Sequence, residues 1–207
     1  MTKKCLIITS RVEQPERLSI DPSAYSEVIT ADAGYLIARR LGIRPTRMIG
    51  DFDSAARPED RDPILLPAEK DMTDTEAALD LAYESGLHDV TILGGLGGRL
   101  DHTMGNLGLL RKYLGRIDPL ILLDGTNRVF LKGPGSYTVQ KDSYQYLGLI
   151  AYGGNVAGLT LTGTKYPLKE HLLTPDTTLG VSNEITGSSC RISFREGTLL
   201  VIQSNEA

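Results

Sequence analysis

The sequence predicts an α/β protein in two parts, an N-terminal α/β domain on a mostly parallel sheet followed by a small C-terminal all-β sandwich. Three observations lead there. Short, continuous apolar runs alternate with amphipathic helical stretches through residues 1–126, and closely spaced β-rich segments broken by Gly, Pro or Asn replace them over residues 127–207. A chain of 207 residues with 41% hydrophobic content is also long enough to bury one large core or two small ones.

The apolar runs of the first part are "CLIIT" (Cys5–Thr9), "EVITAD" (Glu27–Asp32), "TRMIGDF" (Thr46–Phe52), "PILLP" (Pro63–Pro67), "VTILGG" (Val90–Gly95) and "LILLD" (Leu120–Asp124). Most are too continuous for a half-exposed strand and suit a parallel sheet covered on both faces. Between them lie helices with recognisable ends. "ADAGYLIARRLG" offers Asp32 as N-cap, Ile37 and Leu41 four apart, and Gly42 as the stop. "TDTEAALDLAYESG" has Thr73 three residues before Glu76, the capping-box spacing, with Ala77, Ala78, Leu81 and Ala82 on one side and Gly86 beyond. "DHTMGNLGLLRKYLG" carries Leu107, Leu110 and Leu114 on one face before Gly115. After the boundary, which falls within "DGTNRVF", the segments "RVFLKG", "GSYTVQ", "QYLGLIAYGG", "GLTLTGT", "CRISFREG" and "TLLVIQS" read as strands of a sandwich.

Composition narrows the function. A net charge of -4 with scattered Lys and Arg argues against binding nucleic acid or a membrane surface and favours small-molecule chemistry. Cys5 and Cys190, the two cysteines, have no metal-like spacing and suit a reducing compartment. The start "MTKKCLIITSRVEQ" has an apolar run too short for a signal peptide, so a cytoplasmic location is expected.

In open parallel sheets, ligands bind beyond the carboxyl ends of the strands. Asp32 ends one run, Asp51 and Asp53 end another, and the loop "GGLGGRLDHTMGN" (Gly94–Asn106) follows a third. Asp51 and Asp53, two apart, point the same way in extended chain and suit a shared hard cation; Asp71 and Asp74 lie at the start of the second helix. Carboxylates converging on one crevice repel unless a cation holds them, and Mg²⁺ with phosphates is the usual arrangement. The bland alternative is that these aspartates cap helices and turns. Glycines let a backbone approach a phosphate chain and Arg99 offers a fork for its oxygens, although the loop matches neither the Walker nor the dinucleotide pattern. His102 and Asn106, four apart, share a helix face. On these residues alone, a metal-dependent phosphohydrolase and a non-catalytic nucleotide sensor stay open beside a phosphotransferase.

Six motifs in order decide between them. "ADAG" (Ala31–Gly34), "GDFDS" (Gly50–Ser54), "KDMTDTEAAL" (Lys70–Leu79), "GGLGGRLDHTMGN" (Gly94–Asn106), "GTKYPL" (Gly163–Leu168) and "GVSNEI" (Gly180–Ile185) together resemble the thiamine pyrophosphokinase family along nearly the whole chain. The resemblance implies transfer of the diphosphate of ATP to the hydroxyl of thiamine, giving thiamine diphosphate and AMP. It implies a Rossmann-like α/β catalytic domain (1–126) that binds nucleotide and metal, and a β-sandwich (127–207) for thiamine binding and dimerisation. The enzymes it resembles are homodimers whose active site lies between the first domain of one subunit and the second of its partner.

Residue by residue, the resemblance implies that Asp51, Asp53 and Asp74 are catalytic and surround Mg²⁺ and the ATP phosphates, with Asp32 nearby. Asp32, Arg99, Asp101, His102 and Asn106 match nucleotide-holding positions; Lys70, Asp74, Ser182 and Asn183 match positions facing thiamine; Lys165 and Tyr166 come from "GTKYPL". The chain departs from the family's pattern at Ala33, usually glycine, and in having no Trp to stack on thiamine.

Overall fold

The computed structural model describes residues 3–53 and 62–206. Close contacts divide the chain into two units, Met1–Gly125 and Thr126–Ala207.

The first unit is built on six parallel strands in the order β4-β3-β2-β1-β5-β6: β1 (Lys4–Ile8), β2 (Glu27–Ala31), β3 (Arg47–Gly50), β4 (Ile64–Leu65), β5 (Asp89–Leu93) and β6 (Leu120–Leu123). Ile7 pairs with Ile29 on one side and Ile92 on the other. Cys5, Leu6, Ile7 and Ile8 have no exposed surface, which is why β1 reads as a continuous apolar run rather than an alternating one. Helix α1 (Gly34–Arg40) follows β2, α2 (Asp74–Glu84) follows β4, and α3 (Leu100–Lys112) links β5 to β6. Val28, Ala38, Ile43 and Leu93 form a core cluster with Leu6 and Ile8, onto which Ile37 and Leu41 pack. None of the described helices is long and apolar enough to cross a membrane.

Several local expectations change. Asp32 does not cap α1: the N-cap is Ala33, with no side-chain bond, and Asp32 stands before it in the left-handed region at φ 47°. On α2 the Thr73 Oγ1 does accept from Glu76 N at 3.2 Å, but the buried residues are Ala77, Ala78, Leu79 and Ala82, with Leu81 half-buried. On α3 the covered residues are Asn106, Leu109 and Leu110, while Leu107 and Leu114 are half-buried. Both cysteines are buried, and burial pushes Cys5 up to about 12 and Cys190 up to about 11, so neither is a ready thiolate.

The second unit holds two antiparallel sheets. One runs β7-β13-β9, from β7 (Asn127–Lys132), β13 (Leu199–Ser204) and β9 (Tyr146–Ala151); the other runs β11-β10-β12-β8, from β11 (Leu168–Leu173), β10 (Val156–Thr162), β12 (Ser189–Phe194) and β8 (Gly135–Gln140). Alternation along β12 buries Cys190, Ile192 and Phe194 and exposes Arg191, as a sheet with one covered face requires. Strand β11 was not anticipated. Its sequence LKEHLL is polar because it is an edge strand, and its register against β10 is broken, with Glu170 at φ 49°.

Candidate active site

The ends of β1, β2, β3 and β5 meet at one groove of the first unit. Asp32 N donates to Ile49 O at 2.8 Å, which pins the end of β2 to β3. A Cβ on Gly50 would lie 2.9 Å from Asp32 Cα, so glycine there lets the chain carrying Asp51 pass directly against Asp32. Phe52 then takes φ 56°, not the extended conformation expected of this stretch, and Asp53 N donates to Asp51 Oδ1 at 3.3 Å. One carboxylate oxygen from each of Asp32, Asp51 and Asp53 falls within 4.8 Å of the others. The grouping differs from the expected metal set in one member: Asp32 joins Asp51 and Asp53, whereas Asp74 faces Lys70. Ser54 of the same motif lies outside the described residues.

Lys70 ties two of the acids together. Its ammonium donates to Asp51 Oδ2 and to Pro67 O at 3.3 Å, and stands 3.4 Å from Asp74 Oδ1. The bond from Lys70 holds the Asp51 carboxyl below its ordinary range. Burial acts against the Lys70 charge, but the bond to Asp51 and the charge of Asp74 outweigh it and the ammonium is held above its usual value. Asp74 goes the other way: burial, helped by the charges of Asp51 and Asp32, raises it despite the attraction of Lys70. Two carboxylates thus bracket one ammonium, and Asp32 and Asp53 crowd the first of them, Asp51. Asp32 Oδ1 is buried and accepts no hydrogen bond from a described residue; Asp74 Oδ1, also buried, has only the electrostatic contact with Lys70. Hard, undersatisfied oxygens of this kind fit a divalent cation such as Mg²⁺. Asp71 is exposed and does not line the groove.

This acidic cleft, about 280 Å³, adjoins a second of about 270 Å³ beside the glycine loop, and Thr9, Ser10, Thr75, Arg99 and His102 line both. Asn106 reaches the second cleft from one turn beyond His102, and its Nδ2 donates to Gly95 O at 2.8 Å. Thr103 Oγ1 donates to Gly97 O at 3.1 Å, so the loop's carbonyls are drawn to α3. Arg99 is gripped by Asp101 through Nε at 3.2 Å and Nη2 at 2.5 Å, and that pairing raises the arginine and lowers the acid. Asp101 itself does not line either cleft. The loop after β1 packs directly on these glycines: a Cβ on Gly94 would meet Arg11 O at 2.2 Å, and one on Gly97 would meet Glu13 at 2.7 Å.

Thr9, Ser10, Arg11 and Thr75 are groove residues that sequence reasoning passed over. The signal was present, since "TSR" follows the carboxyl end of an apolar run just as the noted aspartates do.

In the second unit, Ser182 is exposed at φ 57° beside Asn183, which is 5% exposed. The Asn183 amide is engaged: Nδ2 donates to Tyr166 O at 2.8 Å, and Oδ1 accepts from Tyr166 N at 3.1 Å and Glu184 N at 2.8 Å. Lys165 pairs with Glu184 at 2.6 Å and stands 5.7 Å from the centre of the Tyr166 ring, which is 58% exposed.

Comparison with known proteins places this architecture. The family profile described as "Thiamin pyrophosphokinase, catalytic domain" matches residues 23–121, and "Thiamin pyrophosphokinase, vitamin B1 binding domain" matches residues 136–199. Thiamine pyrophosphokinase of Bacillus subtilis is 36% identical over 204 residues, covering 93% of this chain and 95% of the relative. The crystal structure of the B. subtilis protein superposes with a TM-score of 0.86 at 34% identity over 99% of this chain and all of that one. Thiamin pyrophosphokinase from Geobacillus thermodenitrificans gives 0.83 at 37% identity over 99% of this chain and 98% of its own. With both domain profiles and a near full-length relative in agreement, the chain belongs to the thiamine pyrophosphokinase family.

Proposed function

We infer that this protein is a thiamine diphosphokinase: the thiamine hydroxyl attacks the β-phosphorus of ATP, the bond from that phosphorus to the α,β-bridging oxygen breaks, AMP leaves, and the hydroxyl proton departs. The observation that carries this reading is the joining of the Asp32–Asp51–Asp53 cluster and the glycine loop in one groove. Reactions of this kind depend on positioning and on offsetting charge.

Asp51 and Asp53, with Asp32, would hold Mg²⁺, which when bound offsets the charge of the triphosphate. Arg99, steadied by Asp101, would bind phosphate oxygens, with His102 and Asn106 completing the nucleotide side. Asp74 would orient the thiamine hydroxyl and take its proton, a task that its raised pKa favours over that of an ordinary carboxylate. Lys70 bridges Asp51 and Asp74, and the surplus of carboxylates would attract the cationic thiazolium. Ser182 is assigned a thiamine contact, and Tyr166, an exposed aromatic beside it in the motif pair, is the stacking surface in a chain without Trp. We further propose that the enzyme works in the cytoplasm as a homodimer, with Ser182 supplied to the site by the partner copy.

Incubating the protein with Mg²⁺ and ATP, with and without thiamine, tests the assignment. AMP should form in step with thiamine diphosphate and only with thiamine present. Release of ADP or phosphate regardless of thiamine would make the protein a phosphohydrolase.

A further inference from the structure

Resting on the reading of this groove as the nucleotide site, we propose that Arg11 is a second guanidinium for the terminal phosphates of ATP, delivered by the loop after β1. Arg11 lines the same cleft as Gly95, Gly97, Arg99 and His102 but comes from a different strand end. Its Nε donates to Glu13 Oε1 at 2.6 Å, one of the five N–H groups of the fork. The terminal nitrogens Nη1 and Nη2 donate to no other described residue.

The loop is shaped around this pair. A Cβ on Gly98 would stand 2.9 Å from Arg11 Cδ and 3.0 Å from its Nε, and one on Gly97 would stand 2.7 Å from Glu13 Oε1. Arg11 and Glu13 therefore lie flat across two consecutive glycines at φ 76° and 64°. The backbone beneath is fixed as well, since Thr9 Oγ1 donates to Arg11 O at 3.0 Å. The result is an arginine held at the cleft wall with its two terminal nitrogens open. Arg99, by contrast, already spends a bidentate face on Asp101. A triphosphate entering beside four carboxylates meets strong repulsion, and a guanidinium with free terminal donors suits its oxygens in geometry and charge.

The test is equilibrium binding of ATP and of AMP, each with Mg²⁺ and without thiamine, to the wild-type chain, Arg11→Met and Arg11→Lys. AMP lacks the β- and γ-phosphates and serves as the internal reference. Arg11→Met should weaken ATP about tenfold or more and leave AMP within about twofold, with Arg11→Lys in between. Equal loss of both nucleotides would make Arg11 a structural prop of the loop, and no loss of either would remove it from the site; both results overturn the assignment. A wild-type chain that binds neither nucleotide would instead overturn the nucleotide site itself, and this assignment with it.

Discussion

Asn183 clasps the Tyr166 backbone from both sides, donating to its carbonyl at 2.8 Å and accepting from its N–H at 3.1 Å. Two motifs read from the sequence as separate ligand contacts are thus one joined turn pair, and the buried amide belongs to the joint. The neighbouring Ser182, exposed, has no such duty among the bonds described. Asn183→Ala should cost about 2–3 kcal/mol in urea unfolding, because it removes the bonds to three backbone groups, Tyr166 O, Tyr166 N and Glu184 N, and should raise KM for thiamine as a consequence. Ser182→Ala should raise KM for thiamine more than KM for ATP with unchanged stability. Loss of stability in both variants, or in neither, would remove the distinction.

The proposed homodimer makes a different demand on the same residues. A copy carrying Asp74→Asn and a copy carrying Asn183→Ala are each expected to be poorly active. If each site draws on both copies, mixing them after unfolding and refolding should recover about a quarter of wild-type activity, since half the dimers are mixed and each then has one intact site of two. No recovery would assign each site to a single chain.

Asp51 has opposed effects on stability and on catalysis. It holds Lys70, yet it also crowds Asp32, Asp53 and Asp74 with negative charge. In Asp51→Asn the lost pairing and the relieved repulsion oppose one another, so the melting temperature should stay within about 4 °C, the shift that roughly 1 kcal/mol gives in a protein of this size. Turnover should fall about 10- to 100-fold and not return at saturating Mg²⁺. Full activity at high Mg²⁺ would show that Asp51 is dispensable for the metal.

These contrasts follow the line between what the sequence disclosed and what it did not. Parallel strands buried on both faces announce themselves as continuous apolar runs, so the strand ends, and the aspartates on them, could be located by reading alone. The Thr73 cap was equally local. Asp32 was misread as a cap because its place depends on a bond from its N–H to Ile49, in a neighbouring strand. The Asn183–Tyr166 joint spans 17 positions, and the Arg11–Glu13 cover over Gly97 and Gly98 spans more than 80; neither leaves a local pattern. Strand β11 was hidden by its polar edge composition.

The glycine loop should show a gradient rather than uniform intolerance. Gly94 and Gly98 both have positive φ, so alanine is strained at either. At Gly94 the added methyl meets the Arg11 carbonyl at 2.2 Å, part of a backbone that cannot swing away, whereas at Gly98 it meets the Arg11 side chain. Gly94→Ala should destabilise by about 3 kcal/mol or more, and Gly98→Ala by about 1–2 kcal/mol. Equal losses in chemical denaturation would mean that backbone strain, not the close approach of the first loop, sets the requirement.

A tyrosine outside the groove links α2 to α3 and offers a pH-dependent readout. Tyr113, 1% exposed, donates its hydroxyl to Asp80, while Lys112 pairs with Glu76 at 2.7 Å across the same two helices. Burial first, then the bond to Asp80, pushes the Tyr113 phenol up to about 12. In the unfolded chain it titrates at about 10. The folded state therefore keeps a proton that the unfolded state releases, and the stability linked to it is complete below pH 10 and lost as pH rises toward about 12. Tyr113→Phe removes both the bond and the titration. At pH 8 the variant should be less stable than wild type by about 1–2 kcal/mol. Near pH 11.5 the gap should shrink, because only the wild type loses stability through this group. Paired urea curves at the two pH values decide it: a gap that stays constant would mean that the Tyr113 proton is not held by the fold.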